Sequence, residues 1–375
     1  MLVSELTDYL EQGFEISGQN IHEQVLTKHR LQAFSPAYFE NGKKLFSYSE
    51  ENCRAARSLL APHELSSPFI SGELPDPDKP SNQVALEDLG RFFSNPAKFL
   101  INRRLGIHLD EGPPILEERE PFDIKGLEKY LLEEQLLKRR LTGKKLDGFS
   151  VVAKASGQLP PGTVGECLYE DLRRGVEDFI DRTRPYTESE PLKLVEVDIS
   201  FADFKLIGEI DGLYPENMVR YRYARITAQD RIRAWIYHLA LNAIKWNQHP
   251  GTSLLVGLDP DRVWAAWEFA PVENSETILK ELLEIYRVGL IKPIHFFPKS
   301  SWVFVHETLE KKRSPQGALL RTQNTWQGNE YTRGESEDAY YQLCFRNINP
   351  VDSEFQKISK KIFGPLLMHQ SEIGK

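Results

Sequence analysis

Arg220, Arg222, Arg225, Arg231 and Arg233 crowd into one short stretch, with Tyr221 among them and Tyr237 just beyond. Guanidinium groups offer paired donors that match phosphate oxygens, and tyrosine rings offer faces on which bases stack. That is the chemistry of holding a polynucleotide. Upstream, Gly208-Glu209-Ile210-Asp211 brings a carboxylate to the end of an extended segment. Asp211 with Glu209, Glu166 or Asp198 is a set that could share a divalent cation and so cleave a phosphodiester. A second basic run, Lys138-Arg139-Arg140 with Lys144-Lys145, continues into a glycine-bearing loop. It offers a DNA or subunit contact, or else a solvated charged face. Lys311-Lys312-Arg313 reads as the solvated kind. His238 lies on an apolar helical stretch and reads as a satisfied histidine, while His29, His295 and His369 lack metal-like spacing. Trp235, Trp264, Trp267, Trp302 and Trp326 read first as core or interface anchors.

These groups need a frame. Leu194 to Phe201 and Phe204 to Leu213 alternate as strands do, Pro215-Glu216-Asn217 supplies a turn, and Met218 to Ile226 reads as a third strand. The expected arrangement is three antiparallel strands, with Asp211 closing the second and Arg220, Arg222 and Arg225 riding on the third. Thr227-Ala228-Gln229-Asp230 reads as a capping box. The helix it opens runs to about Trp246, carries Arg231, Arg233 and Tyr237, and turns Ile232, Trp235, Ile236, Leu239, Ala240 and Ala243 inward. Strands at Ser253 to Leu258 and Val263 to Phe269 follow. Upstream, helices are expected around Leu86 to Phe93, from Asn95-Pro96, from about Ile124 to Leu141 and from Gly165, with a short strand at Ser150 to Ala153. Downstream, helices around Ile278 to Tyr286, Ala339 to Phe345 and Glu354 to Phe363 are expected, joined by long aromatic loops. The order predicts an α/β fold with a mixed central sheet flanked by helices.

Leu2, Val3, Leu6, Tyr9 and Leu10 recur at helical spacing, and a helix from the first residue suggests a piece of a larger protein. Glu64 to Gln83 holds Pro68, Pro75, Pro77 and Pro80, the composition of an extended linker. The expected organisation is therefore residues 1–63, a linker over 64–84, and a domain over 85–375. With 375 residues, 11% of them aromatic, the chain can bury a real core. A net charge of −8 argues against nucleic acid coating the whole surface but leaves room for a local basic groove. No signal peptide or membrane-length apolar run is present. Cys53, Cys167 and Cys344 are too few and scattered for a disulfide framework or a zinc knuckle. The reading is a cytoplasmic protein. No G-x-x-x-x-G-K-[ST] loop occurs, so no ATP chemistry is expected; no other cofactor and no metal is expected either.

The helix–strands–helix core with an acid at a strand end resembles the PD-(D/E)XK, or restriction-endonuclease-like, nucleases, here with helical additions. In the exonuclease branch related to the nuclease domain of bacterial RecB, G-x-I-D on one strand is followed by D-Y-K on the next, then by Q-x-x-x-Y on a helix, with a histidine on an earlier helix. Gly208-Glu209-Ile210-Asp211 matches the first element. The second reads Arg220-Tyr221-Arg222, so arginines stand in place of the metal-binding aspartate and the lysine. Arg233 replaces the glutamine, Tyr237 is retained, and Glu166 falls where the histidine belongs. A guanidinium that close to a metal position repels the cation by several kcal/mol in a partly buried site. The resemblance thus implies a degenerate site with no catalytic residues.

Flanking strings extend the likeness. His29-Arg30-Leu31-Gln32-Ala33-Phe34-Ser35-Pro36, Phe92-Phe93-Ser94-Asn95-Pro96, Arg104-Leu105-Gly106-Ile107, Trp235-Ile236-Tyr237-His238 and Gly364-Pro365-Leu366-Leu367 resemble, in order and spacing, the C-terminal region of the RecC family, the gamma chain of exodeoxyribonuclease V. The resemblance implies a nuclease-like domain that has lost catalysis. It also implies a role in guiding a duplex end or its separated strands through a RecBCD-type helicase–nuclease in double-strand break repair and recombination, docked to the beta and alpha subunits. The first 63 residues would be the tail of a helicase-like domain. Two alternatives stand beside it: an active metal-dependent exonuclease with a migrated site, and a pure subunit-docking module whose arginines fill the abandoned metal site in ion pairs with Asp211, Glu209 and Glu166.

Overall fold

The computed structural model describes residues 2–14, 25–40, 42–61, 68–75, 83–109, 123–124, 126–244 and 250–373. The chain divides into two compact units, Met1–Ser66 and Ser67–Lys375. The first holds α1 (Leu2–Gly13), a 3₁₀ turn at Pro36–Tyr38, and α2 (Glu50–Leu60), capped by Ser49. The helical spacing expected at the start is present, and Val3, Leu6 and Tyr9 on it are exposed.

The second unit runs β1 (Gln83–Ala85), α3 (Leu86–Ser94), α4 (Pro96–Leu105), α5 (Gly126–Leu141), α6 (Phe149–Ala155) and α7 (Gly162–Thr183). Then come β2 (Val195–Ser200), β3 (Lys205–Ile210), β4 (Asn217–Arg225), α8 (Ala228–Ala243), β5 (Thr252–Leu258) and β6 (Trp264–Phe269). The remainder is α9 (Ser275–Gly289), α10 (Pro298–Leu309), α11 (Pro315–Gln327), the short β7 (Gly328–Asn329) and β8 (Thr332–Arg333), α12 (Ala339–Cys344), α13 (Ser353–His369) and β9 (Gln370–Ile373). The fold is mixed α/β, as expected, but the strands form small ladders in place of one central sheet. Their orders are β1-β3-β2, β4-β5-β6-β9 and the pair β7-β8.

The expected three-stranded antiparallel meander is corrected at its third strand. β2 and β3 pair antiparallel from Val195↔Ile210 to Ser200↔Lys205, and β1 adds in parallel along the other edge of β3. β4 instead pairs in parallel with β5, from Asn217↔Thr252 to Tyr221↔Val256, with α8 as the crossover between them. The two ladders meet at one bridge, Leu213↔Met218, reinforced by Val219 N donating to Gly212 O at 2.8 Å. The reason lies just after Asp211. Gly212 sits at φ 68°, a left-handed turn that leads the chain away after a single bridge.

Other expectations shift for local reasons. Ser150 to Ala153 is helical, not a strand: Phe149 and Ala153, one turn apart, are buried while Val151 and Val152 face out. Part of the downstream loop is α10 and α11, each opened by a proline in its first turn. The ordered tail helices begin near their expected places, and the last extends to His369. The Trp246 end of α8 and much of the 64–84 segment lie outside the described residues. Within that segment Phe69 N donates to Leu343 O and Leu74 N to Ile291 O, and β1 takes up its last two residues.

Strand alternation sends successive side chains to opposite faces. In β5, Leu255 joins the core formed with α3, α8, α9, α10 and α13, whereas Leu254, Val256 and Leu258 join the core formed with α5 and α7. In β4, Met218 joins the first and Val219 the second. Arg220 and Arg222, in phase with Met218, therefore reach α8, while Tyr223, in phase with Val219, packs on Phe179 of α7.

Candidate functional site

Arg220 is held on two sides of its guanidinium. Its Nη1 lies 2.8 Å from Asp211 Oδ1, and its central carbon lies 4.3 Å from the centroid of the Tyr237 ring. Its Nε and Nη2 are buried with no hydrogen-bond partner. Two residues on, Arg222 Nη1 donates to both carboxylate oxygens of Asp230, at 2.9 and 2.8 Å, and the guanidinium lies 5.2 Å over the Tyr130 ring. Asp230 has a second role. It accepts from Thr227 N at 2.9 Å while Thr227 Oγ1 accepts from Asp230 N at 3.3 Å, which is the expected capping box. Arg233, one turn into α8, donates from Nε to Ser94 Oγ on α3 at 2.9 Å. Together β4, α3 and α8 wall a cleft of about 400 Å³ lined by Arg91, Arg220, Tyr221, Arg222, Arg233 and Tyr237 among others.

The tertiary structure thus brings Arg220, Arg222, Arg233 and Tyr237 to one place, with Asp211 beside them. Glu166 is not among them; it is exposed on α7 and paired with Lys154 at 2.6 Å. Asp198 is likewise paired, with Lys205 at 2.9 Å. Among the described residues no group of three or more His, Cys, Asp or Glu side chains is placed to share a metal ion. The residues do not fit the divalent cation of the nuclease scheme, because the matching carboxylate, Asp211, already has a guanidinium against it. Like charge at that distance opposes a cation.

Arg225 is exposed at the end of β4. Arg231 turns away from the cleft. It is only 9% exposed, sandwiched 4.2 Å from the Trp267 ring and 4.6 Å from the Trp302 ring, and burial lowers its pKa to about 10. Arg139 is half-buried over the Phe149 ring at 4.2 Å, whereas Arg140, Lys144 and Lys145 are exposed. Lys138 lines a second cleft of about 350 Å³ with Tyr130, Tyr221, Arg222 and Tyr223.

Sequence reasoning missed Arg91, Lys98 and Arg103. They line a third cleft, of about 610 Å³, together with Asn95, Asn102 and Arg233. The available signal was the start of α4, where Asn95 caps by accepting from Lys98 N and Lys98 and Asn102 fall one turn apart on the same face. The bland reading of His238 holds. Its ring hydrogen-bonds Ser253 Oγ at 2.7 Å and Ala270 O at 3.0 Å, and burial lowers its pKa to about 4. Trp235, Trp267 and Trp326 are buried, and Trp264 and Trp302 partly so. No helix among the described residues is long and apolar enough to cross a membrane.

Known proteins with similar sequences point one way. RecBCD enzyme subunit RecC of Escherichia coli (strain K12) is 24% identical over 374 residues, covering 94% of this chain and 32% of the relative. The subunit of the same name from Buchnera aphidicola subsp. Schizaphis graminum is 26% identical over 303 residues, 78% of this chain and 27% of the relative. That from Mycobacterium tuberculosis (strain ATCC 25618 / H37Rv) is 25% identical over 344 residues, 89% and 30%. The chain spans about a third of the length of these curated relatives. The family model described as the RecC C-terminal domain matches residues 81–308, which include β1, β4, α8 and every residue of the arginine cleft. By that match over more than half its length, the chain belongs to the RecC C-terminal domain family.

Proposed function

We propose that this chain is a non-catalytic DNA-guiding and scaffold domain of a RecBCD-type helicase–nuclease, acting in recombination and double-strand break repair. Its partners are then the other two subunits of exodeoxyribonuclease V and a duplex end or its separated strands. One observation carries the reading: the Arg220 guanidinium stands against Asp211, where a nuclease of the PD-(D/E)XK kind needs a cation and a second acid. A positive group there disfavours a metal and favours phosphate. The β3–β4 junction and the α8 crossover between the parallel strands β4 and β5 surround that pair, which supports the reading.

A second reading has its own support. Arg220 and Arg222 are both engaged internally, by Asp211 and Asp230, which suits a docking module that never meets DNA. Titrating Mg²⁺ or Mn²⁺ into the purified chain with labelled single-stranded, duplex and forked DNA separates the two. Binding without cleavage, indifferent to metal and weakened by salt, is the expected result. Cleavage abolished by Asp211→Ala would make the domain an enzyme and overturn the proposal. No binding of any DNA would leave the docking module standing.

A further inference from the structure

The helix α5 is apolar on two faces. On one, Leu132, Leu136 and Leu137 are buried in the core shared with α7, beside Glu133, which is paired with Arg262 at 3.1 Å. On the other, Leu127, Leu131 and Leu141 are 69, 46 and 48% exposed. With Glu134 and Lys138 these leucines recur at alternating steps of four and three residues, which keeps all five on one stripe of the helix. At 3.6 residues per turn the stripe points nearly opposite to the buried face. Such spacing is the seam along which two helices pack side by side. Glu134 and Lys138, in the middle of it, are exposed, and among the described residues neither has an ion-pair partner.

Those two charges decide what the seam accepts. A parallel copy of the same helix would set Glu134 against Glu134 and Lys138 against Lys138, and like charges directly opposed disfavour that arrangement. An antiparallel copy can set Glu134 against Lys138 of the second copy. The two-fold axis then returns the same pair, Lys138 against Glu134. In that register Leu131 meets Leu141, also twice. Four layers close, two of leucine outside and two of opposite charge inside. The neighbouring register, with Leu127 against Leu141, would put Glu134 against itself.

We propose that α5 is a self-association face: two copies of the chain pack antiparallel along Leu131, Glu134, Lys138 and Leu141, and the charged layers set direction and register. Two short helices cover little area, so the contact belongs to the weak, reversible class. Each helix is already folded on its own domain, so contact carries no cost of forming it. The association holds whether or not the domain guides DNA.

Sedimentation velocity of the full chain, at concentrations rising to about 0.1 mM, tests this. A monomer–dimer equilibrium is expected. Leu131→Asp should weaken it more than about tenfold, since it removes a leucine from both outer layers. Glu134→Lys and Lys138→Glu should each abolish it, because like charges then meet in both inner layers. Mixed together, those two variants should associate with one another, as one supplies only basic and the other only acidic groups there. The chain carrying both changes should associate as the unaltered one does. Rescue on mixing is a readout that misfolding cannot imitate. A chain that stays monomeric throughout the series would overturn the proposal and leave the seam to a helix of a different protein. Dimers indifferent to these substitutions would overturn it as well, by placing self-association elsewhere on the surface.

Discussion

Arg220 shows how one guanidinium serves two neighbours at once. It neutralises Asp211, stacks on Tyr237 and closes the space between β3 and α8. Arg220→Ala removes the stacking and leaves Asp211, 71% exposed, to water. The expected loss is about 1 kcal/mol, from a cation–π contact partly shielded from solvent, read as a lower urea midpoint. Arg220→Lys should recover only part of it, because an ammonium cannot lie flat on the ring. His238 gives a prediction in pH. Its folded-state pKa of about 4 lies below the ordinary 6.5 because burial disfavours the imidazolium. Between those values the unfolded chain binds a proton that the folded chain refuses. Stability is therefore full above about pH 6.5 and falls as the pH drops towards 4, with a slope of at most about 1.4 kcal/mol per pH unit. Denaturant midpoints across that window check this, and His238→Gln should flatten the slope.

Among the elements, the junction of β3 and β4 decides where the site sits. Gly212 holds φ 68°, and a Cβ there would lie 2.7 Å from Val219 O. Gly212→Ala should cost about 1–2 kcal/mol for the left-handed backbone alone, and more for the contact. Because Val219 N donates to Gly212 O, the substitution should also speed amide exchange at Val219. The helix that follows was more legible. Thr227 and Asp230 specify its start by their own side chains, and its apolar stripe specifies its inner face. That stripe also contained the answer for Arg231. Arg231 lies one turn before the buried Trp235 and so shares its inward face, whereas Arg233, two positions on, points the other way. Grouping the arginines by sequence proximity hid this. Their phase on the helix separates them.

At the scale of the molecule, a chain of net charge −8 can meet DNA only through local basic surface. If the chain binds a single strand as proposed, the slope of log affinity against log salt should be about −0.7 for each phosphate contacted. Anisotropy titrations between about 50 and 200 mM salt measure it. A slope near zero would mean that the chain makes no phosphate contacts. A much steeper one would bring in Arg140, Lys144 and Lys145, exposed at and beyond the end of α5.

By itself the sequence determined the local features. Alternation marked β2, β3 and β4, the threonine–aspartate box marked the start of α8, and the cluster of Arg220, Arg222, Arg233 and Tyr237 marked the candidate site. These are short-range signals, fixed by side-chain period and by hydrogen bonds within a few residues. Pairing is long-range. Nothing near β4 in the sequence says that its partner is β5, or that β1 would take the edge of β3, because those contacts are chosen by which faces the whole core can bury. The same holds for charge. Only the tertiary structure decided that Asp230 would engage Arg222 and that Glu166 would face Lys154. An ion pair depends on distance in space, and composition does not encode distance.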